Sequence, residues 1–264
     1  MRMKYEPLIL IILLYVSIQL MGLQIGHELI EKIESGEILP VVEEPENPLT
    51  SLTIFVYILI GTGILLLLLK FGLYFIIRIM SFFFLLIGLS FTLWFLFGVI
   101  GLLLAAALFI LSIWKSKNPA VMNIVLIFTI PGIGALFGSS IAFIPALILI
   151  LILSAYDLVA VFGTKHMITL AEGAKDKIPL MFAIPFGDRF LGLGTGDLAV
   201  PLIFSVSVLR DYSFTNAIIT AAGGLIGIAL LFVYILNKKE CALPALPPIC
   251  AGLIVGFGVS LMVL

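Results

Sequence analysis

Residues 153–163, LSAYDLVAVFG, and residues 192–201, GLGTGDLAVP, decide how this chain is read. Each is a largely apolar run carrying one carboxylate, Asp157 in the first and Asp197 in the second. An ionisable residue in a membrane helix costs about 2.5–3.5 kcal/mol on insertion scales, so it faces protein or water and marks a functional site. Two such acids at matching depth are a stronger signal than either alone.

The rest of the chain supplies the membrane setting. Of 264 residues, 62% are hydrophobic and 11% charged, and the mean hydropathy is +1.32. Soluble domains average about 45–50% apolar and 25% charged, so a polytopic membrane protein follows, expected in the cell membrane. A net charge of -1 gives no basis for a nucleic-acid partner. Cys241 and Cys250 read as buried apolar thiols, and His27 and His166 as surface residues. The sequence has no Walker loop, dinucleotide fingerprint or metal-ligand spacing, so no metal and no cofactor are expected.

A crossing needs about 20 mostly apolar residues. Such runs cover Leu8 to about Ile25, Leu52 to Leu69, Ala120 to Phe137, Ile141 to Phe162, Gly192 to the edge of Arg210, Asn216 to Leu236, and Ala242 to Leu264. The unbroken stretch from Phe71 to Trp114 suits two crossings with a turn near Gly98 and Gly101. The expectation is an all-α protein of nine spans. It forms a single membrane-embedded domain over 1–264, with a helix bundle over 1–140 and the catalytic part over 141–264. Between the first two spans, HELIEKIESGEIL is expected to form a short surface helix and Pro40 to Pro48 a loop. Twelve of the fourteen Lys and Arg residues fall at the N-terminus or in loops after even-numbered spans. The positive-inside rule then puts the N-terminus in the cytoplasm and the C-terminus outside. The first span is read as a retained helix rather than a cleaved signal, since no A-x-A-like site follows it.

In this arrangement Asp157 lies about six residues before the inner end of the sixth span, roughly 9 Å deep. Asp197 lies about five residues into the returning seventh span, at a similar depth. Paired carboxylates in a low-dielectric site share one proton and titrate as a unit. One then draws a proton from water while the other protonates the scissile carbonyl or leaving amine. Gly194, Thr195 and Gly196 bring little bulk and a polar hydroxyl to the start of the seventh span. Tyr156 projects about 100° around the helix from Asp157 and is expected to line the cavity wall.

Tyr156-Asp157 within YDLVAV, Gly194-Thr195-Gly196-Asp197, and Pro244-Ala245-Leu246 within LPALP together resemble the YD, GxGD and PAL motifs of the presenilin and signal peptide peptidase family. The three occur in the family's order, on the sixth, seventh and ninth spans of a chain similar to the compact microbial presenilin homologues. The resemblance implies that Asp157 and Asp197 are the catalytic pair of an intramembrane aspartyl endopeptidase acting on single-span substrates. It also implies that Pro244, Ala245 and Leu246 shape the site and bind substrate. An unwound substrate is expected to add as a strand, in the family's mode, to the segment before the seventh span, within Ile178 to Leu193. Two departures stand out: Thr195 where presenilins usually carry Leu, and a short loop after the sixth span without the long segment that presenilins cut to mature.

The implied partners are transmembrane helical substrates and the lipid bilayer, with homo-oligomerisation left open. The alternative class is an ion- or proton-coupled transporter, or a cation leak channel, using the same acids. It leaves the three motifs unexplained, and no inverted repeat is evident. A prepilin-peptidase-like enzyme would also use a GxGD acid, but its cysteine-rich cytoplasmic insertion is absent.

Overall fold

The computed structural model describes residues 6–164, 181–186, 189–238 and 243–263. Eight helices occupy most of them: α1 (Glu6–Glu34), α2 (Leu49–Lys70), α3 (Tyr74–Trp114), α4 (Pro119–Ser139), α5 (Phe143–Leu158), α6 (Gly196–Asp211), α7 (Phe214–Lys238) and α8 (Leu246–Val263). A π-helical turn, Val159–Thr164, continues α5. Strands β1 (Met181–Phe186) and β2 (Arg189–Gly194) form an antiparallel hairpin. Seven of these helical segments are long and apolar enough to cross a membrane.

Helix α3 is not one rod. Gly98 has φ 58° and ψ -135°, a conformation open to glycine and little else. Beyond it the chain doubles back: a Cβ on Gly101 would collide with the backbone of Leu93 and Trp94, and Phe82 meets Phe109 edge-on at 6.2 Å. The turn expected near Gly98 and Gly101 is therefore present within the apolar run.

The core centres on α6. Leu202 projects into space left by Gly22 of α1 and Gly134 of α4, and Val206 into space left by Gly26 and Gly138. Glycine pairs four residues apart on two different helices thus make two shallow sockets for one aliphatic ridge. Helices α7 and α8 approach still more closely: a Cβ on Gly227 would strike the Pro248 carbonyl, and one on Gly252 would strike that of Gly223. Outward faces are apolar instead of polar. Val56, Ile60, Phe75, Ile79, Leu103 and Ile110 are all exposed, as a lipid-facing surface requires.

Polar side chains tie the bundle together. The Ser51 hydroxyl donates to the Pro145 carbonyl at 2.6 Å, joining α2 to α5. The Thr92 hydroxyl oxygen accepts from the Gly132 N–H at 2.8 Å, beside Pro131 of α4. At the far end of α6, an Asp211 carboxylate oxygen accepts from the Phe143 N–H at 2.6 Å, capping the start of α5.

Four expectations change. The polar segment after the first span does not begin a separate surface helix, because α1 runs unbroken to Glu34. The seventh helix starts at Gly196 and not Gly192, since Arg189 to Gly194 pair with β1; glycines at 192 and 194 weaken helix and suit an extended backbone. Among the described residues the fold is thus all-helical apart from this hairpin. The ninth expected span becomes helical only at Leu246, and its expected start at Ala242 lies outside the described residues.

Candidate active site

Asp157 sits on the last turn of α5 and Asp197 on the first turn of α6. The pin between Asp211 and Phe143 explains why they lie level. Asp157 is fourteen residues along from Phe143, and Asp197 is fourteen residues back from Asp211. Two antiparallel helices fixed at one end and measured over equal rises, about 21 Å each, must bring those positions side by side. An aromatic cluster of Phe143, Phe204, Tyr212 and Phe257 holds that fixed end rigid. The two carboxylates lie close enough to feel each other's charge.

Each acid is held by main-chain donors. Asp157, only 7% exposed, accepts from the Leu246 N–H at 3.1 Å and also from the Ala245 N–H. Sequence accounts for this choice of donors. In Pro244-Ala245-Leu246-Pro247-Pro248 the three prolines have no N–H, leaving Ala245 and Leu246 as the only donors of the stretch. They stand at the N-terminus of α8, where helix N–H groups lack internal partners and the helix dipole favours an anion. Prolines remove the donors that would otherwise be orphaned at membrane depth, and Asp157 takes the remaining two.

Asp197 is partly buried and accepts from the Gly194 N–H at 3.2 Å, linking the first turn of α6 to the end of β2. Thr195, the N-cap residue, makes no side-chain capping bond, and Gly196 is exposed. Pro201 lies four residues after Asp197, so the Asp197 carbonyl has no i+4 donor. Buried Cys250, one turn into α8, lies within electrostatic range of both acids. Its thiol points to the Ile150 carbonyl at 3.7 Å.

Of the residues singled out from sequence, Asp157, Asp197, Gly194, Ala245 and Leu246 come together here. Tyr156 turns its ring onto Phe55 of α2, edge-on at 5.9 Å, and so braces α5 against α2. His27 is exposed beside Glu31, while His166 and Cys241 lie outside the described residues. Among the described residues no cluster of three or more His, Cys, Asp or Glu side chains could hold a metal ion. Sequence reading missed Asn123 of α4, whose carboxamide bonds both main-chain groups of Ala183 in β1. The signal was available, since Asn123 is the only carboxamide in the apolar run of α4.

Comparison with known proteins supplies the family. Residues 12–190 match the family model described as signal-peptide peptidase, presenilin aspartyl protease. The chain belongs to this family. The match includes Asp157 and ends before Asp197. Mouse signal peptide peptidase is 30% identical over 113 residues, covering 37% of this chain and 29% of the mouse protein. The chain thus aligns with less than a third of that relative's length. Among solved structures, a presenilin family intramembrane aspartate protease in space group C222 superposes with a TM-score of 0.70 at 24% identity, over 98% of this chain and 100% of that one. A structure of a presenilin family intramembrane aspartate protease in space group P2 gives 0.67 at 25% identity, over 96% of both chains. Those superpositions cover nearly the whole chain, the segments beyond residue 190 included. This family member is a multi-pass membrane protein, and the transporter alternative gains nothing from its relatives.

Proposed function

We propose that the protein is an intramembrane aspartyl endopeptidase that uses Asp157 and Asp197 to hydrolyse peptide bonds within single-span substrates. What supports this reading is that Asp157 at the end of α5 and Asp197 at the start of α6 lie within reach of each other's charge, and that each accepts from main-chain N–H groups. Such a pair shares a proton, so one carboxylate activates water while its neighbour protonates the substrate carbonyl and then the leaving amine. Both steps are general acid–base catalysis.

A helical substrate must unwind before water reaches its backbone, and an unwound strand needs hydrogen-bond partners in lipid. The outer edge of β2 supports docking there. Phe190 is 52% exposed and Gly192 is exposed, and the strand leads directly to Asp197. Strand addition to this edge would carry the scissile bond past the acids.

We read the chain as nine crossings, counting α3 as two about Gly98. Helix α6 is counted too; at sixteen residues and about 24 Å, it is lengthened toward the cytoplasm by the hairpin. The basic-residue bias supports a cytoplasmic N-terminus and an external C-terminus. Residues 1–140 then serve as the supporting bundle, and 141–264 carry the chemistry.

The test is inhibition of the purified chain cleaving a generic transmembrane peptide. A mimic bearing a hydroxyl at the scissile position should inhibit, because it sets oxygen where attacking water sits between the acids. EDTA should leave the rate unchanged. Loss of activity in EDTA with recovery on adding zinc would overturn the mechanism.

A further inference from the structure

We propose that Asn123 is a positioning residue for cleavage: its carboxamide stands in for a third strand on β1, fixing the hairpin beside the acids and leaving the β2 edge to the substrate. The proposal deepens the protease reading above and rests on it.

The geometry is that of strand pairing. Asn123 Nδ2 donates to the Ala183 carbonyl at 2.9 Å, and Asn123 Oδ1 accepts from the Ala183 N–H at 2.9 Å. A single carboxamide supplies one donor and one acceptor in this way, as a neighbouring strand would. The register agrees. Gly194, opposite Met181, gives its N–H to Asp197 and not to β1, so by alternation Phe186, Ile184 and Phe182 bond to β2 while Pro185, Ala183 and Met181 face away from it. Ala183 is taken by Asn123, and Pro185 has no N–H to offer. The outer edge of β1 is therefore capped at its centre.

On β2 the same alternation turns Gly194, Gly192 and Phe190 outward. Gly194 spends its N–H on Asp197. Among the described residues, the main-chain groups of Phe190 and Gly192 have no partner. Phe182 and Ile184 are fully buried in the core on either side of Ala183, so β1 cannot slide. A chain of links thus runs from α4 through Asn123 to β1, across to β2, and through the Gly194 N–H to Asp197. Loosening its first link lets the hairpin shift relative to the acids. A docked peptide would still bind, but its scissile bond would no longer sit in one place.

The test uses the whole chain in vesicles with a single-span peptide, comparing wild type, Asn123→Leu, Asn123→Gln and Ala183→Pro. Ala183→Pro removes the donor from the other partner without touching α4, and it loses no bond to β2. Cut positions are read by mass spectrometry, kcat and KM from initial rates, and amide exchange across residues 181–194 without substrate. Asn123→Leu and Ala183→Pro should each lower kcat about tenfold, with KM within about twofold. Both should spread the cut over neighbouring bonds and speed exchange in the hairpin. Their combination should be no worse than the worse single change, because both break one interaction. Asn123→Gln, which keeps the carboxamide, should recover part of the single-cut pattern. If Asn123→Leu does not fold, Ala183→Pro gives the same reading alone. An active wild type whose variants cut at the same bond, at any rate, overturns the positioning role. A wild type that cuts nothing overturns the protease reading, and the positioning role with it.

Discussion

Asp157 takes both main-chain donors that the stretch from Pro244 to Pro248 has to give, and this dictates what a substitution there does. Replacing Pro244 by leucine restores a helix former, worth about 3 kcal/mol of helix propensity over proline. Without the fixed proline φ, and with a new main-chain N–H at 244, the segment entering α8 would hold the Ala245 and Leu246 N–H groups less firmly on Asp157. Pro244→Leu should lower kcat/KM by at least about tenfold without lowering thermal stability. Near-normal cleavage of a transmembrane peptide by this variant would show that the proline-set donors are dispensable. At this scale the sequence was legible where chemistry depends on residue type. Carboxylates, prolines and the three motifs announce themselves. It was silent where an atom of the main chain does the work: nothing in Gly194 as a letter says that its N–H holds Asp197. Asn123 lay between these cases, conspicuous in an apolar helix but without a visible partner, because Ala183 is sixty residues away.

Between elements, equal fourteen-residue spacings run from the Asp211–Phe143 pin to the two acids. Asp211→Ala removes the cap on α5 and should cost about 1–2 kcal/mol of stability. It should also lower turnover, because the level of Asp157 against Asp197 is then set less firmly. Asp211→Asn keeps an acceptor and should lie between. Melting temperature and kcat measured side by side check this, and an Asp211→Ala protein with both unchanged would remove the pin from the account. The seam between α7 and α8 makes a second case. Gly223→Val pushes a branched side chain into the Gly252 carbonyl, overpacking that should cost about 1–3 kcal/mol and displace the start of α8 from Asp157. Helix positions were readable from apolar length, and the doubling-back at Gly98 from an apolar run too long for one crossing. The hairpin was less readable. The sequence RFLGLG from 189 to 194 has weak helix propensity, and its glycines are poor strand formers, so only its pairing with residues 181–186 decides its state.

Across the whole molecule, the groups that matter gather at one end: the start of α4 with Asn123, the end of α5, and the starts of α6 and α8. On the proposed topology that end faces the cytoplasm. Strand pairing fixes the direction of a substrate backbone, so the enzyme's orientation selects the substrate's. Substrates with an external N-terminus should be preferred and cut near the cytoplasmic end of their span. One model substrate reconstituted in both orientations checks this. Equal cleavage, or preference for the opposite orientation, would contradict the assigned topology while leaving the chemistry intact.

The most direct measurement of the central claim is cleavage of a single-span peptide by the purified chain, set beside Asp157→Asn and Asp197→Asn. Each carboxylate has its own proton to move, so neither variant can work with the acid that remains. Both should stay folded, since each loses a group that is costly to hold at membrane depth. Wild type should cleave specifically, and either variant should show less than a few per cent of that turnover. Appreciable turnover by one of them, in a preparation free of other proteases, would contradict the pairing of Asp157 with Asp197 as the catalytic unit.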